Sequence, residues 1–185
     1  MKKFEITTAI LSIIALVAYY FLHIRGAAIL TFIFLMKYAL LYSPLGFAVL
    51  NNIRFRDILK KDAYKEISVQ RILGAIFTGW ALSVIISGML FKFLFLPGAG
   101  FMLIAGLCYL PIIAIVAIVK YVKTRSQFYV GILTRIAIIG GVGLFLFFLP
   151  SSTLKDIKYR NHPEKRVEER NRLYPDEMQN NYQEE

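Results

Sequence analysis

Two long apolar runs meet at a short turn in the middle of the chain. The turn and its flanks read Phe91-Lys92-Phe93-Leu94-Phe95-Leu96-Pro97-Gly98-Ala99-Gly100-Phe101-Met102-Leu103-Ile104. Apolar residues dominate positions 72–96 before the Pro97-Gly98 break and positions 98–119 after it. A bilayer core of about 30 Å needs about 20 residues in a helix, so each run is long enough to cross it. Because the break is so short, the two runs are predicted to form a tight antiparallel helical hairpin.

Three further runs have the length of a membrane span, at 4–22, 26–49 and 128–149. A lone span can satisfy its backbone polar groups only within itself, so each run is predicted to be helical. The Arg25-Gly26 break makes the first two runs a second hairpin. The first run follows Lys2 and Lys3 as in a signal peptide, but it is longer than the apolar core of one, which predicts an uncleaved helix. The fold class predicted is an all-α polytopic membrane protein with about five transmembrane helices.

The composition agrees with this fold class. Hydrophobic residues make up 57% of the 185 residues and charged residues 18%, against about 45–50% and about 25% in soluble proteins. Residues 1–150 carry 15 Lys/Arg and 4 Asp/Glu, whereas residues 151–185 carry 7 and 8. Basic residues beside apolar spans are typical of membrane topology and of contact with lipid headgroups, not of nucleic-acid binding. The single cysteine, Cys108, excludes an internal disulfide.

The basic residues also predict the orientation. One side of the bundle receives eleven Lys/Arg, from the N-terminus, the segment 50–71 and the loop after residue 119, whereas the opposite turns hold only Arg25. The positive-inside rule assigns the side with eleven to the cytoplasm. Five spans then place the tail, residues 151–185, outside, although it brings five basic residues close to the last span. The predicted location is the bacterial cytoplasmic (inner) membrane, with a cytoplasmic N-terminus.

The two hairpins look duplicated. Residues 21–28 align with residues 93–100 at an offset of 72, with four of eight positions identical, Gly26 and Gly98 among them. Under alternating topology the matching spans run in the same direction, which predicts a parallel internal repeat.

Two polar segments complete the predicted domain organisation. Between the hairpins, residues 53–71 place apolar side chains at helical spacing, which predicts an amphipathic helix that either binds a cytoplasmic partner or lies in the headgroups. The tail after residue 150 is polar and is either a docking segment or an unstructured, solvated one. Within it, Pro163 suits the first turn of a short helix, Glu168 and Arg172 have the spacing of an ion pair, and residues 179–185 are predicted to be disordered.

Three charges inside the spans are the candidate functional residues: Lys37, Lys92 and Arg135. Lys37 lies about 16 Å along its run, near the predicted midplane, and Arg135 about 10 Å along the last run. Lys92 is close enough to the end of its span to snorkel. Intramembrane charges are costly and are either functional or held by neighbouring tyrosines and carbonyls. Gly140, Gly141 and Gly143 are interpreted as small residues for close helix contact.

The sequence offers little other chemistry. Two histidines, one cysteine and scattered carboxylates do not make a metal ligand set, and no nucleophile has a defensible His/Asp partner. We therefore predict no cofactor, no metal and no enzymatic activity. Proton and sodium pathways commonly use an acid at mid-depth, whereas Glu5 is placed at a membrane edge and the other three acids of the first 150 residues lie in the loop.

The quoted turn resembles one known family, the L subunit of the gliding-motility and type IX secretion motor. The membrane hairpin of that family has Phe-Lys, two apolar residues and then His-Trp-Pro-Gly-Ala, followed by a Met-Leu-Ile run. The likeness covers residues 91–104 and the copy at 19–32. The family's lysine, histidine and glutamate are implicated in proton-driven rotation. Lys92 matches the lysine, Phe95 stands at the histidine position with His23 as its counterpart in the first copy, and Leu110 lies near the acid position.

The resemblance implies a related hairpin and similar helix packing, with the turn residues His23, Arg25, Gly26, Pro97 and Gly98 at the centre of the likeness. The leading functional hypothesis is a non-enzymatic membrane scaffold or accessory subunit that packs against other membrane subunits or further copies of itself. A motor or secretion assembly is the setting that the resemblance implies. The alternative is a small transporter or channel that uses Lys37 and Arg135 to bind an anionic solute.

Overall fold

The computed structural model describes residues 1–65, 67–160, 164 and 167, and the elements in that part of the chain are all helical. The helices longer than one turn are α1 (Lys2–Leu22), α2 (Ala27–Tyr42), α3 (Gly46–Leu50), α4 (Val69–Phe93), α5 (Ala99–Thr124), α6 (Gln127–Phe148) and α7 (Ser151–Tyr159). The last turn of α1 and the middle of α6 are π-helical. Among the described residues, four helices, namely α1, α4, α5 and α6, are long and apolar enough to cross a membrane.

The second apolar run is broken, so the prediction of one continuous helix over 26–49 is wrong. α2 has 16 residues and ends at Tyr42, and the chain turns before the short α3 begins at Gly46. Pro44 lies inside this turn. A proline has no N–H to donate to the carbonyl four residues earlier, and its ring clashes with that carbonyl, so a helix ends or kinks there.

Both hairpin turns adopt the same backbone conformation. In the first turn His23 has φ 48° and Gly26 has φ 83°, and in the second turn Phe95 has φ 58° and Gly98 has φ 87°. Glycine adopts positive φ without steric cost, which explains its place just before each second helix. Each of these short turns joins two consecutive helices, α1 to α2 and α4 to α5, as the prediction of two helical hairpins requires. The shared conformation is what a parallel repeat predicts, and the duplication itself stays a prediction.

The segment between the hairpins is not an amphipathic helix, so that prediction is wrong. It holds two 3₁₀ turns, Phe55–Asp57 and Lys61–Tyr64, separated by an extended Lys60. The Lys60 ammonium donates a hydrogen bond of 2.8 Å to Asp57, which lowers the pKa of that carboxyl. Asn52 is left-handed at φ 57°, a conformation that a helix does not contain. These local side-chain and turn preferences override the apolar spacing.

Glycines allow close helix packing around α4. A Cβ on Gly79 would lie 2.5 Å from the Tyr42 carbonyl oxygen, and one on Gly46 would lie 2.7 Å from the Gly79 Cα. Ile85 fills the space beside Gly143, where a Cβ would meet it at 2.6 Å. Gly140 likewise faces Leu110, whereas Gly141 has nothing within 4 Å. The interpretation of these glycines as contact residues is therefore confirmed for Gly140 and Gly143 and is wrong for Gly141.

The chain divides into two compact units, Met1–Leu149 and Pro150–Glu185, close to the predicted boundary. Within the second unit, α7 begins directly after Pro150, whose carbonyl accepts a hydrogen bond from the Leu154 amide. The sequence analysis did not predict this helix. The helix start at Pro163, the Glu168–Arg172 pair and the disorder of 179–185 lie outside the described residues.

Candidate functional site

Glu5 and Arg135 form an ion pair between the first turn of α1 and the middle of α6. The guanidinium binds the carboxylate at two points, with Nε 2.8 Å from Oε1 and Nη2 2.6 Å from Oε2. Only 12% of the Glu5 side chain and 15% of the Arg135 side chain are exposed. Two-point arginine–carboxylate contacts combine charge with fixed geometry and are among the strongest hydrogen-bonded pairs. This pair therefore fixes the position of α6 against α1.

Tyr42 completes this site, which we call the Glu5–Arg135 network. The Tyr42 hydroxyl donates to Glu5 Oε1 and accepts from Arg135 Nε at 3.2 Å. The remaining guanidinium nitrogen, Nη1, donates to the Gly131 carbonyl oxygen at 3.0 Å. Tyr38 packs edge-on against the Tyr42 ring, with centroids 5.5 Å apart. Tyr42 is the last residue of α2, so the network joins three helices that are distant in sequence.

The contacts of this network are structural, because they hold α1, α2 and α6 together. All three guanidinium nitrogens already donate to Glu5, Tyr42 or Gly131. An arginine does not release its proton in a protein, so the pair does not relay protons through Arg135. The negative charge that balances Arg135 comes from the chain itself.

Lys37 does not join this network. Its side chain is exposed on α2, and its ammonium lies 5.3 Å from the centroid of the Phe4 ring. Because Phe4 belongs to the first turn of α1, the Lys37 charge lies level with the start of that helix. The estimate from sequence, which put Lys37 near the midplane, is corrected accordingly. The tyrosines predicted as partners, Tyr38 and Tyr42, lie at the Glu5–Arg135 network instead.

The resemblance-derived residues lie at the opposite end of the bundle. Lys92 is in the last turn of α4. His23 directly follows α1, and the 18 residues that separate it from Glu5 correspond to about 27 Å along the helix. The Tyr20 hydroxyl donates to the Phe93 carbonyl oxygen at 3.0 Å and connects the two hairpins at this end. Arg25 and Pro97 lie within the turns themselves. The structure thus separates Lys92 and His23 from the Glu5–Arg135 network.

The sequence analysis singled out Arg135 and missed its partner. Glu5 was placed at a membrane edge without a role, and 130 positions separate it from Arg135. The only signal was charge complementarity between two lone charges in apolar runs. In the part of the chain that the structure describes, no three His, Cys, Asp or Glu side chains come together as a metal site.

In the part of the chain that the structure describes, the fold is an all-helical bundle with four candidate membrane-spanning helices and an internal ion pair. No protein-family model matches the chain, and no significant similarity to a curated protein or to a solved structure was found.

Proposed function

We propose that the chain is an integral protein of the bacterial inner membrane that acts as a non-enzymatic scaffold or accessory subunit of a larger membrane complex. The first support is its surface. α5 exposes a nearly continuous set of large apolar side chains along its outer face: Phe101, Ile104, Tyr109, Ile112, Ile115, Val116, Ile118, Val119 and Val122. A contiguous exposed set of nine large apolar side chains is typical of a surface that contacts a membrane or another protein.

The observation that carries the proposal is the Glu5–Arg135 network. An arginine that binds an anionic solute needs an accessible, uncompensated charge, whereas Arg135 is paired at two points with Glu5 and only 15% of its side chain is exposed. Its charge stabilises the bundle internally. The alternative, a transporter or channel for an anionic solute, uses Lys37 and Arg135 together, and the contacts of Arg135 favour the subunit over it.

Lys37 supports a partner interface. It is an exposed charge on an otherwise apolar helix, beside Phe4. At the level of Phe4, near the N-terminal end of α1, its ammonium keeps its charge without deep burial in hydrocarbon and is open to an acid across an interface. We propose that an acidic side chain of a neighbouring subunit, or of a second copy of this chain, lies opposite Lys37.

The topology belongs to the same proposal. α2 alone, at 16 residues, is about 24 Å long and falls short of a bilayer core of about 30 Å. α2 and α3 together therefore form the second crossing, interrupted at Pro44. Five crossings with the eleven basic residues in the cytoplasm place the N-terminus inside and the tail outside. The resemblance at Lys92 and Pro97 makes a motor or secretion assembly the candidate setting.

Affinity purification of the tagged chain in mild detergent, followed by quantitative mass spectrometry, tests the proposal. A subunit retains the same membrane proteins, or further copies of itself, at a fixed ratio across detergents. A monomer that purifies alone and moves an anionic solute after reconstitution into vesicles contradicts it.

A further inference from the structure

An apolar groove of about 610 Å³ opens between α4, α5 and the start of α6. Small residues line it, among them Gly74, Thr78, Ala81, Gly106 and Ala117, together with large apolar side chains such as Phe77, Trp80, Val84, Ile112 and Val116. None of these residues belongs to the Glu5–Arg135 network. At Gly106 α5 is in close contact with α4, because a Cβ there would clash with the Ile85 side chain.

One end of this groove is basic. Arg71, Lys120 and Gln70 line it there, and Lys120 Nζ lies 3.5 Å from Gln70 Oε1. The Arg71 guanidinium lies 4.2 Å from the centroid of the Phe128 ring, and its Nε is buried without a hydrogen-bond partner. Among the described residues, neither Arg71 nor Lys120 forms a salt bridge. Two cations, Arg71 and Lys120, therefore lie at one end of the apolar groove.

We propose that this groove binds an anionic phospholipid, with one acyl chain along α4 and α5 and the phosphate at Arg71 and Lys120. The Arg71 guanidinium and the exposed Lys120 ammonium line the same end of the groove, and two such cations can donate charge-assisted hydrogen bonds to phosphate oxygens. The basic end lies at the end of α4 that follows the segment 50–71, on the side that the positive-inside rule assigns to the cytoplasm. The cytoplasmic leaflet carries anionic lipids. The proposal rests on membrane embedding and does not depend on the identity of any protein partner.

The shape and lining of the groove suit a lipid chain. The groove extends from Gln70 to Val84, about 21 Å along α4, and its lining is apolar over most of that length. A single extended hydrocarbon chain is much slimmer than a helix, and it carries no backbone polar groups that require partners.

The only tryptophan, Trp80, lines the groove and makes the proposal directly testable. It lies about 14 Å along α4 from Arg71, at the depth of the acyl chain. The full chain is reconstituted in phosphatidylcholine vesicles that contain increasing phosphatidylglycerol, with bromine on the acyl chains of one lipid at a time. Brominated phosphatidylglycerol should quench Trp80 fluorescence at lower mole fraction than brominated phosphatidylcholine does, with a preference of roughly fivefold for each basic contact.

Three variants define the site. Lys120→Gln removes an exposed charge and is compatible with folding, and Arg71→Gln removes the guanidinium. Each should reduce the preference by roughly fivefold. Lys123→Gln is the matched control, because Lys123 lies on the same helix and does not line the groove. Its preference should equal that of the wild type.

The remaining outcomes would overturn the proposal. Equal quenching by both lipids in the wild type shows no anionic selectivity. Displacement of brominated phosphatidylglycerol by inorganic phosphate at constant ionic strength shows a site for a free anion. Protection of Trp80 from both brominated lipids, with a protein co-purifying, shows a partner helix in the groove. A loss of selectivity in Lys123→Gln equal to that in Lys120→Gln shows general surface charge.

Discussion

Arg135 and Glu5 are 130 positions apart in the sequence and bind each other at two points, at 2.6 and 2.8 Å. This contact joins the first helix of the bundle to the last of its long helices. Tyr42 adds the end of α2. The network thus connects α1, α2 and α6 through two oppositely charged side chains and one hydroxyl.

Removing one partner of this ion pair should destabilise the protein strongly. Arg135→Met leaves the Glu5 carboxylate buried without its counter-charge, and breaking a buried pair in this way costs about 3 kcal/mol. Glu5→Gln should cost a similar amount, whereas the double variant should recover part of the loss, because no uncompensated charge remains. Unfolding in mixed detergent micelles measures all four free energies. Additive losses in the double variant would show that the two side chains do not act together.

The Tyr42 hydroxyl should matter separately from its ring. Tyr42→Phe keeps the packing against Tyr38 and removes the hydrogen bond to Glu5. A hydrogen bond to a charged group contributes about 1.5–3 kcal/mol, so a loss in that range is expected. Tyr38→Phe is the comparison variant. Its hydroxyl reaches the network only through Tyr42, so its effect on the free energy of unfolding should be smaller. Equal effects of the two variants would contradict the role assigned to Tyr42.

The close approach of Gly79 to Tyr42 and Gly46 should not tolerate a methyl group. Gly79→Ala places a Cβ 2.5 Å from the Tyr42 carbonyl oxygen, which is backbone and cannot swing away. Overpacking of this kind costs about 1–3 kcal/mol. Gly141→Ala is the matched control, since nothing lies within 4 Å of its Cβ, and it should stabilise the helix by about 0.5–1 kcal/mol. Thermal unfolding of the two variants should therefore shift in opposite directions.

Much of the helical framework follows from the sequence because its signals are local. The lengths of the apolar runs predict five membrane-length helices, and four of these are long helices in the described part of the chain. The breaks at Gly26 and Gly98 lie at the two turns, where each glycine adopts positive φ. Pro44 was also visible, and giving it more weight than the surrounding apolar residues would have predicted the break after α2. The failed helix at 53–71 shows that helical spacing of apolar residues does not exclude local turns such as the one closed by the Lys60–Asp57 hydrogen bond.

The candidate site was only half predictable. Arg135 stood out because an isolated charge in an apolar run needs a partner. Its partner depends on how α1, α2 and α6 pack, and nothing in the sequence near Arg135 encodes that arrangement. The groove beside Trp80 also could not be predicted, because its lining residues come from α4, α5 and α6 and meet only when these helices pack.

The orientation can be tested with cysteines at Lys60 and Gln179 in a Cys108→Ser background. The charge bias predicts that a membrane-impermeant thiol reagent labels only position 179 in intact cells. Position 60 should become reactive after lysis. Protection at 179 that disappears on lysis would contradict the five crossings. Labelling of position 60 in the same intact cells would then show that the broken α2–α3 run does not cross the bilayer.

The substitution Lys37→Met should affect assembly with a partner and leave folding of the chain unchanged. The contact of Lys37 with Phe4 contributes about 0.5–1 kcal/mol, so the variant should fold and accumulate normally. If an acid on a partner faces Lys37, the same variant should lose partner co-purification. Phe4→Leu, which removes the ring and leaves the charge, is the control and should keep the partner. Unchanged co-purification of Lys37→Met would remove Lys37 from the interface.

Photo-crosslinking from the outer face of α5 in intact cells tests the subunit proposal most directly. A crosslinking amino acid at Phe101 or Ile115, which are 79% and 62% exposed, should give a discrete adduct with another membrane protein or with a second copy of the chain. The same group at Leu103, which is fully buried, should give none. An α5 face that forms no protein adduct at either exposed position, in cells where the chain is present at normal level, would contradict the account.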